Sequence, residues 1–223
     1  MFGEEKMKSS RKAVLCFTAV VIYACSFPAF ATIVSFDMSA AFPGAGVPVS
    51  PPPWMTATFD DGGSSGTVIL TISVPGLTGN GQKVDSVYFN LAEGLDPTQL
   101  VFSNPTILAG GVQNIVVDHT GYNSYQADGD GFYDVRLSFD TDGPARAFNG
   151  GDVIQYTIAL ASLTANSFNF LSDPAPGGGS GPYKTAAHLQ GVVSGGGSAW
   201  VTIPEPATIA ILGLGALVLR KKA

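Results

Sequence analysis

The sequence is poor in cysteine. Its 223 residues include two cysteines, Cys16 and Cys25, and both lie in an apolar segment near the N-terminus. The rest of the chain therefore cannot form a disulfide, and it offers neither a thiol nucleophile nor a thiolate metal ligand.

Positive charge is also scarce. Between residues 32 and 203, fourteen carboxylates stand against four cations (Lys83, Arg136, Arg146 and Lys184), which gives a net charge of −10. This balance argues against nucleic acid or an anionic membrane surface as a partner. It is compatible with divalent cations and with neutral glycans.

No amphipathic helix of useful length is present in this central region, whereas strand patterns are frequent. The stretches "TVILTISV", "KVDSVYFNL", "FYDVRLSFD" and "DVIQYTIAL" alternate apolar and polar residues, and Gly-rich turn signals separate them. In the third stretch, Tyr133, Val135, Leu137 and Phe139 would share one face. The pattern predicts an all-β fold, an antiparallel β-sandwich of about nine or ten strands.

The N-terminus has the pattern of an export signal. Four basic residues precede an apolar run at residues 13–25, and small residues, Ala29 and Ala31, stand at positions −3 and −1 of a cleavage site. We predict a signal helix, export by Sec-type machinery and cleavage after Ala31. The alternatives are an uncleaved membrane anchor and a lipoprotein modified at Cys25, where the bulky Tyr23 is unfavourable.

The C-terminus combines an apolar run with a basic end. Residues 207–219 are apolar except for Thr208, and as a helix they would span about 20 Å, short of the ~30 Å hydrocarbon core. Arg220, Lys221 and Lys222 would remain on the cytoplasmic side and stop transfer. We predict a short transmembrane helix in the inner membrane; the alternative is a buried terminal helix or strand.

This tail resembles a known family of sorting signals. Pro204-Glu205-Pro206, the short apolar run with glycines and the terminal Arg-Lys-Lys are similar to a PEP-CTERM signal. The resemblance implies an exported protein of a Gram-negative bacterium that makes extracellular polysaccharide. It also implies that a membrane-embedded exosortase recognises Pro-Glu-Pro and removes the anchor, so that the membrane attachment is transient.

The segments divide the chain into four parts. We expect a signal peptide at 1–31, a sandwich domain at 32–193, a Gly-rich linker or last strand at 194–203, and the sorting signal at 204–223. Much of the region from Lys83 to Gly191 also resembles domains that commonly carry such signals. That second resemblance implies a β-sandwich and no assigned activity.

The stretch "ADGDGFYD" offers a candidate calcium site. Asp128, Asp130 and Asp134 could supply oxygen ligands, with glycines between them allowing a tight turn. The spacing excludes an EF-hand, because Phe132 and Phe139 occupy positions where carboxylates are needed. A plain hairpin turn accounts for the same residues, so we predict no required cofactor and a weak Ca²⁺ site as the alternative.

Aromatic side chains offer a second candidate, since Trp54 and Tyr133 could stack on sugar rings. Packing in the core explains them equally well. His119 and His188 are interpreted as a loop residue and a surface residue.

These features predict a non-enzymatic role. We expect a structural or interaction protein of the cell surface, envelope or exopolysaccharide matrix, as in a biofilm. The first alternative is a carbohydrate-binding module, and the second is a secreted hydrolase, which would require a cleft with two carboxylates about 5–9 Å apart.

Overall fold

The computed structural model describes residues 30–128, 131–143, 145–175, 179 and 181–204. Most of the predicted signal peptide, with Ala29, and the predicted transmembrane helix at 207–219 lie outside these residues. Within the described part, no helix is both long enough and apolar enough to cross a membrane.

The described residues form sixteen β-strands and two 3₁₀ turns, so the all-β prediction is confirmed. Nine strands have four or more residues. The other seven have two or three residues, which are too few to show an alternating pattern. The turns lie at Pro97–Gln99 and Ala165–Phe168. The strands are β1 Ile33–Met38, β2 Ala40–Ala41, β3 Met55–Asp60, β4 Thr67–Ser73, β5 Lys83–Phe89, β6 Val101–Phe102, β7 Thr106–Ala109, β8 Val116–Asp118, β9 Tyr125–Ala127, β10 Gly131–Tyr133, β11 Val135–Ser138, β12 Phe148–Asn149, β13 Val153–Ala159, β14 Asp173–Pro174, β15 Thr185–Gln190 and β16 Ala199–Thr202.

The strands form three antiparallel sheets. Sheet A has the order β1-β3-β4-β13-β6, with β7 also paired to β13. Sheet B has the order β2-β16-β15-β5-β11-β8, with β12 also paired to β5, and sheet C is the small set β14-β10-β9.

Sheets A and B share one hydrophobic core. The alternate residues Val68, Leu70 and Ile72 of β4 are buried, as their period of two predicts. Across the sandwich, Phe59 of sheet A meets Phe89 of sheet B edge to face, with ring centroids 5.0 Å apart. Burying each side chain of this size stabilises the fold by about 1.5–3 kcal/mol, so the inward faces hold the two sheets together.

The predicted single strand at 133–139 is wrong in one respect, because the chain changes sheet at Asp134. Tyr133 ends β10 in sheet C, whereas β11 begins at Val135 in sheet B. Asp134 interrupts the ladder between them. Tyr133 consequently packs in a different cluster from Val135 and Leu137.

That second cluster makes a third layer over part of sheet B. Tyr88 and Ala186 belong to it, while their chain neighbours Val87 and Ala187 belong to the main core. Since neighbouring strand residues point to opposite faces, the second cluster covers the outer face of sheet B. Sheet C supplies Tyr133 and other residues to this cover.

Candidate functional site

The candidate calcium ligands do not form a metal site in the described part of the chain. Asp128 is exposed in the turn after β9, and Asp130 lies outside the described residues. Asp134 is 4% exposed, and its two oxygens accept 2.8 Å hydrogen bonds from the backbone N–H groups of Leu91 and Asn123. No group of three or more His, Cys, Asp or Glu residues among those described could hold a metal ion.

Asp134 has a structural role in the described part of the chain. Its carboxylate joins the segment after β5 to the loop before β9, at the point where the chain passes from sheet C to sheet B. Burial raises the pKa of this carboxyl above its ordinary value, against the two backbone hydrogen bonds, which lower it.

The candidate sugar-stacking rings are both buried, so that prediction is wrong for these residues. Trp54 is 3% exposed, and its Nε1 donates a 2.7 Å hydrogen bond to the carbonyl oxygen of Ser50. Tyr133 is 0% exposed and packs 5.6 Å from the ring of Tyr88. Neither side chain can present a ring face to a sugar without local unfolding.

The hydrogen bond that the structure gives His119 is to a backbone carbonyl group, and not to another titratable side chain. Its Nδ1 lies 2.9 Å from the carbonyl oxygen of Pro97, and its ring packs against Phe102. The contacts attach the loop after β8 to the first 3₁₀ turn, which suits the predicted role of a loop residue.

A polar cluster that the sequence analysis did not find lies on the outer face of sheet B, around Asp85. A register shift in the β5–β15 pairing brings Asp85 beside β15. Its carboxylate contacts His188 Nδ1 at 3.1 Å, accepts from Gln190 Nε2 at 2.9 Å and accepts from Ser86 Oγ at 3.0 Å. The hydrogen bond from His188 holds the pKa of the Asp85 carboxyl below its ordinary value.

An aromatic row continues from this cluster toward the edge of sheet B. The rings of His188 and Trp200 are stacked 4.8 Å apart, and Trp200 is stacked in turn on Phe42 at 6.1 Å. Trp200 is half-buried, with one ring against it from β15 and another from the segment after β2. The contact between His188 and Trp200 is a cross-strand pair of β15 and β16, which stabilises this edge of sheet B.

A groove of about 850 Å³ opens where the chain crosses between the two large sheets. One wall is the β4–β5 connection with the start of β5, residues 75–83, and the other is residues 147–151 with Gly143. The lining includes side-chain amides, the hydroxyl of Thr78 and the ammonium of Lys83. Leu77 and Ala147 add apolar surface. This groove was not predicted, because two loops about 70 residues apart in sequence form it.

Gln82 is a buried polar side chain of the groove whose amide oxygen is held by two hydrogen bonds. It is 5% exposed, and its Oε1 accepts hydrogen bonds from Ser50 Oγ at 2.7 Å and from the Gly79 backbone N–H at 2.9 Å. These two bonds fix the amide orientation. Its Nε2 has no hydrogen-bond partner among the described residues, so the N–H donors of this buried side chain remain available.

The predicted sorting motif follows the last strand without a spacer. β16 ends at Thr202, whose Oγ1 donates a 2.6 Å hydrogen bond to the carbonyl oxygen of Thr185. Pro204 is half-buried at the end of the described chain, whereas Glu205, Pro206 and the basic end at 220–222 lie outside it. Residues 199–202 are paired with β15 and β2, so this part of the 194–203 segment is a strand.

Comparison with known families identifies the tail. Residues 202–222 match the model of the PEP-CTERM protein-sorting motif. Neither the curated proteins nor the solved structures contain a match to the chain. The predicted resemblance of the tail to a PEP-CTERM signal is therefore confirmed, and this motif marks an exported protein that is directed to the cell surface and processed by an exosortase.

Proposed function

Because the chain carries a PEP-CTERM sorting motif, we propose that its sandwich is a structural or interaction protein of the cell envelope or extracellular polysaccharide matrix. The observation that carries the proposal is the position of the motif, which begins at residue 202 in the last strand. The signal at residues 1–31 directs the chain to Sec-type machinery. The anchor at 204–223 then holds it in the inner membrane until the exosortase releases the domain.

The use of the buried carboxylates supports a non-enzymatic role. Asp61 accepts hydrogen bonds from the backbone of Thr32 and of Ala165, and Asp134 joins two loops in the same way. Asp152 accepts from the backbone N–H of Asn149 at the entry to β13. These side chains hold loops to the sandwich, and we infer that the domain acts by binding instead of by acid–base chemistry.

A carbohydrate-binding role is the second candidate, and the groove is the observation that favours it. The predicted aromatic platform at Trp54 and Tyr133 no longer supports this role, since both rings are buried. The groove instead offers side-chain amides and a hydroxyl, which pair well with sugar hydroxyls.

The proposed sorting is tested by measuring the intact mass of the protein in the inner-membrane, surface and medium fractions of the producing cells. We expect a species that begins at Thr32, ends near residues 204–206 and lies outside the inner membrane. The Glu205→Gln variant should accumulate in the inner membrane with its tail intact.

Glu93→Gln is the matched control, because Glu93 is an exposed glutamate of the sandwich far from the tail in sequence. It should be processed like the unmodified protein. Retention of a full-length C-terminus by the unmodified protein would contradict the proposal and leave a simple tail-anchored domain.

A further inference from the structure

We propose that the groove between residues 75–83 and 147–151 is a binding site for a short segment of a polysaccharide, held through its ring hydroxyls. The inference rests on the proposed function for its biological setting. It names the ligand class and the site, neither of which the sorting motif specifies.

The walls of the groove are held in place by close backbone packing. A side chain at position 150 would collide with the carbonyl oxygen of Leu77, so a glycine is required where the two walls meet. A side chain at Gly191 would likewise collide with the carbonyl oxygen of Gly81. The backbone N–H of Gly151 donates a 2.9 Å hydrogen bond to the carbonyl oxygen of Val74. The groove is therefore preformed, which reduces the entropy lost on binding.

The donor chemistry of the groove suits vicinal hydroxyls. Gln82 presents an oriented amide nitrogen without a protein partner among the described residues, while its oxygen is already used by Ser50 and Gly79. Asn80 is an exposed amide of the same wall. Amide groups can donate to one sugar hydroxyl and accept from the next, whereas a hydrophobic ligand would leave these groups unpaired.

The charge of the groove differs from that of the domain around it. None of the described residues that line it carries a carboxylate, although the region from 32 to 203 has fourteen. Lys83 is in the lining, and its ammonium donates to the carbonyl oxygen of Thr141. A sugar therefore meets neutral dipoles and one cation, so that a neutral glycan and a uronate-containing glycan can both be accommodated.

The volume sets the size of the ligand. Small-ligand sites in proteins occupy about 300–1,000 Å³, and the groove at about 850 Å³ lies in that range. It is open to solvent at its surface, so a longer chain can extend beyond it. We therefore expect recognition of a few sugar units within a polymer.

The tail leaves sheet B away from the groove. Lys83 of the groove pairs with Gln190, whereas Val201 pairs with Ala187, three residues earlier in β15. Thr202 lies one row further, so it is about 13 Å from the level of Lys83 at 3.3 Å per residue.

The test uses the exported protein purified from the producing cells. Its binding to a neutral cello-oligosaccharide and to an oligogalacturonate is measured by calorimetry. Asn80→Trp and Thr78→Trp each place a large side chain at an exposed groove position, and we expect each to weaken binding at least about tenfold.

The matched control is Asn104→Trp, which makes the same change at an exposed loop residue outside the lining. It should alter the affinity by less than about twofold. Thermal unfolding of all three variants confirms that they are folded.

The site is supported if the protein binds either sugar, both groove variants lose this binding and the control keeps it. The sugar that binds more tightly then shows whether the ligand is a neutral or a uronate-containing glycan. Failure to bind either sugar, or equal binding by the groove variants and the control, would overturn it. Fractionation of the same samples measures sorting separately, so that failed sugar binding with normal processing rejects the groove without rejecting the surface role.

Discussion

The outer faces of the two large sheets differ, although their inner faces follow the same alternation. On sheet A, Ser35, Thr58, Thr71 and Gln155 form a row across four paired strands, and all are exposed or half-buried. Ser35 Oγ lies 3.2 Å from Thr58 Oγ1, and Gln155 Nε2 donates to Thr71 Oγ1 at 3.1 Å. This row is polar and open to solvent, and exposed apolar side chains such as Ile33 and Ile69 stand on the same face.

The outer face of sheet B carries a third layer instead. Tyr88 is 6% exposed there, within a cluster that joins it to sheet C. The polar group Asp85 and the ring of Trp200 border this cover. The comparison shows that an outward position in a strand predicts exposure only where no further layer is added.

The sharpest test of this difference truncates one outward residue on each sheet. Tyr88→Ala should lower the free energy of unfolding by about 3 kcal/mol, since it opens a cavity against Tyr133 and Trp200. Thr71→Ala should change it by no more than about 0.5 kcal/mol. Urea unfolding of both variants measures the two values, and similar losses would show that the two faces are energetically alike.

The attachment of sheet C depends on the carboxylate at residue 134. Asp134→Asn should cost about 1–3 kcal/mol, because an amide oxygen replaces only one of the two acceptors and leaves either Leu91 or Asn123 unpaired. Thermal unfolding with calcium and with a chelator measures this loss.

Asp128→Asn is the control, as asparagine tolerates the positive φ of 43° at that exposed turn position. It should leave stability unchanged within about 0.5 kcal/mol. A calcium-dependent stabilisation that disappears in both variants would restore the metal site.

The polar residues at the border of this third layer should contribute less to the free energy of unfolding than Tyr88 and Asp134 do. His188→Ala removes one contact to Asp85 and the ring stacked on Trp200, and we expect a loss of about 1 kcal/mol with a change in tryptophan fluorescence. Gln155→Ala on sheet A should cost less than about 0.5 kcal/mol and leave the fluorescence unchanged. An equal effect of the two changes would remove the distinction between the faces.

The smallest expected effect is a pH dependence that comes from the buried carboxyls. Burial raises the pKa values of Asp134 and Asp152, so the folded state holds these protons more tightly than the unfolded chain. Stability from these groups should therefore rise as pH falls from 7 toward the ordinary value of 3.8.

The opposite behaviour should follow at lower pH. Hydrogen bonds from Thr32 and His188 hold the pKa values of Asp61 and Asp85 below the ordinary value, so their contribution is lost as pH falls through those lowered values. Melting temperatures measured across this pH range test both the rise in stability and its loss at lower pH. Asp134→Asn should reduce the rise in stability between pH 7 and 3.8 and leave the loss at lower pH unchanged. If the rise is unchanged in this variant, other groups cause it.

The main core was predictable, whereas much of the candidate site was not. Alternation in β4 and β13 identifies Leu70 and Ile154 as inward residues, and both are buried. The same alternation places Tyr133 and Val135 on one face, but the hydrogen bonds of Asp134 divide that stretch between two sheets. Local periodicity contains no information about such long-range partners.

The sequence alone determined the sorting tail, the all-β class and the inward residues of the long strands. Linear motifs and period-two alternation are local properties, so they can be read without a partner. Only the tertiary structure decided that Trp54 and Tyr133 are buried, that Asp85 meets His188 and that residues 75–83 and 147–151 form a groove. Each of these depends on which distant segments pack together, because burial and ligand geometry arise from contacts between segments far apart in the chain.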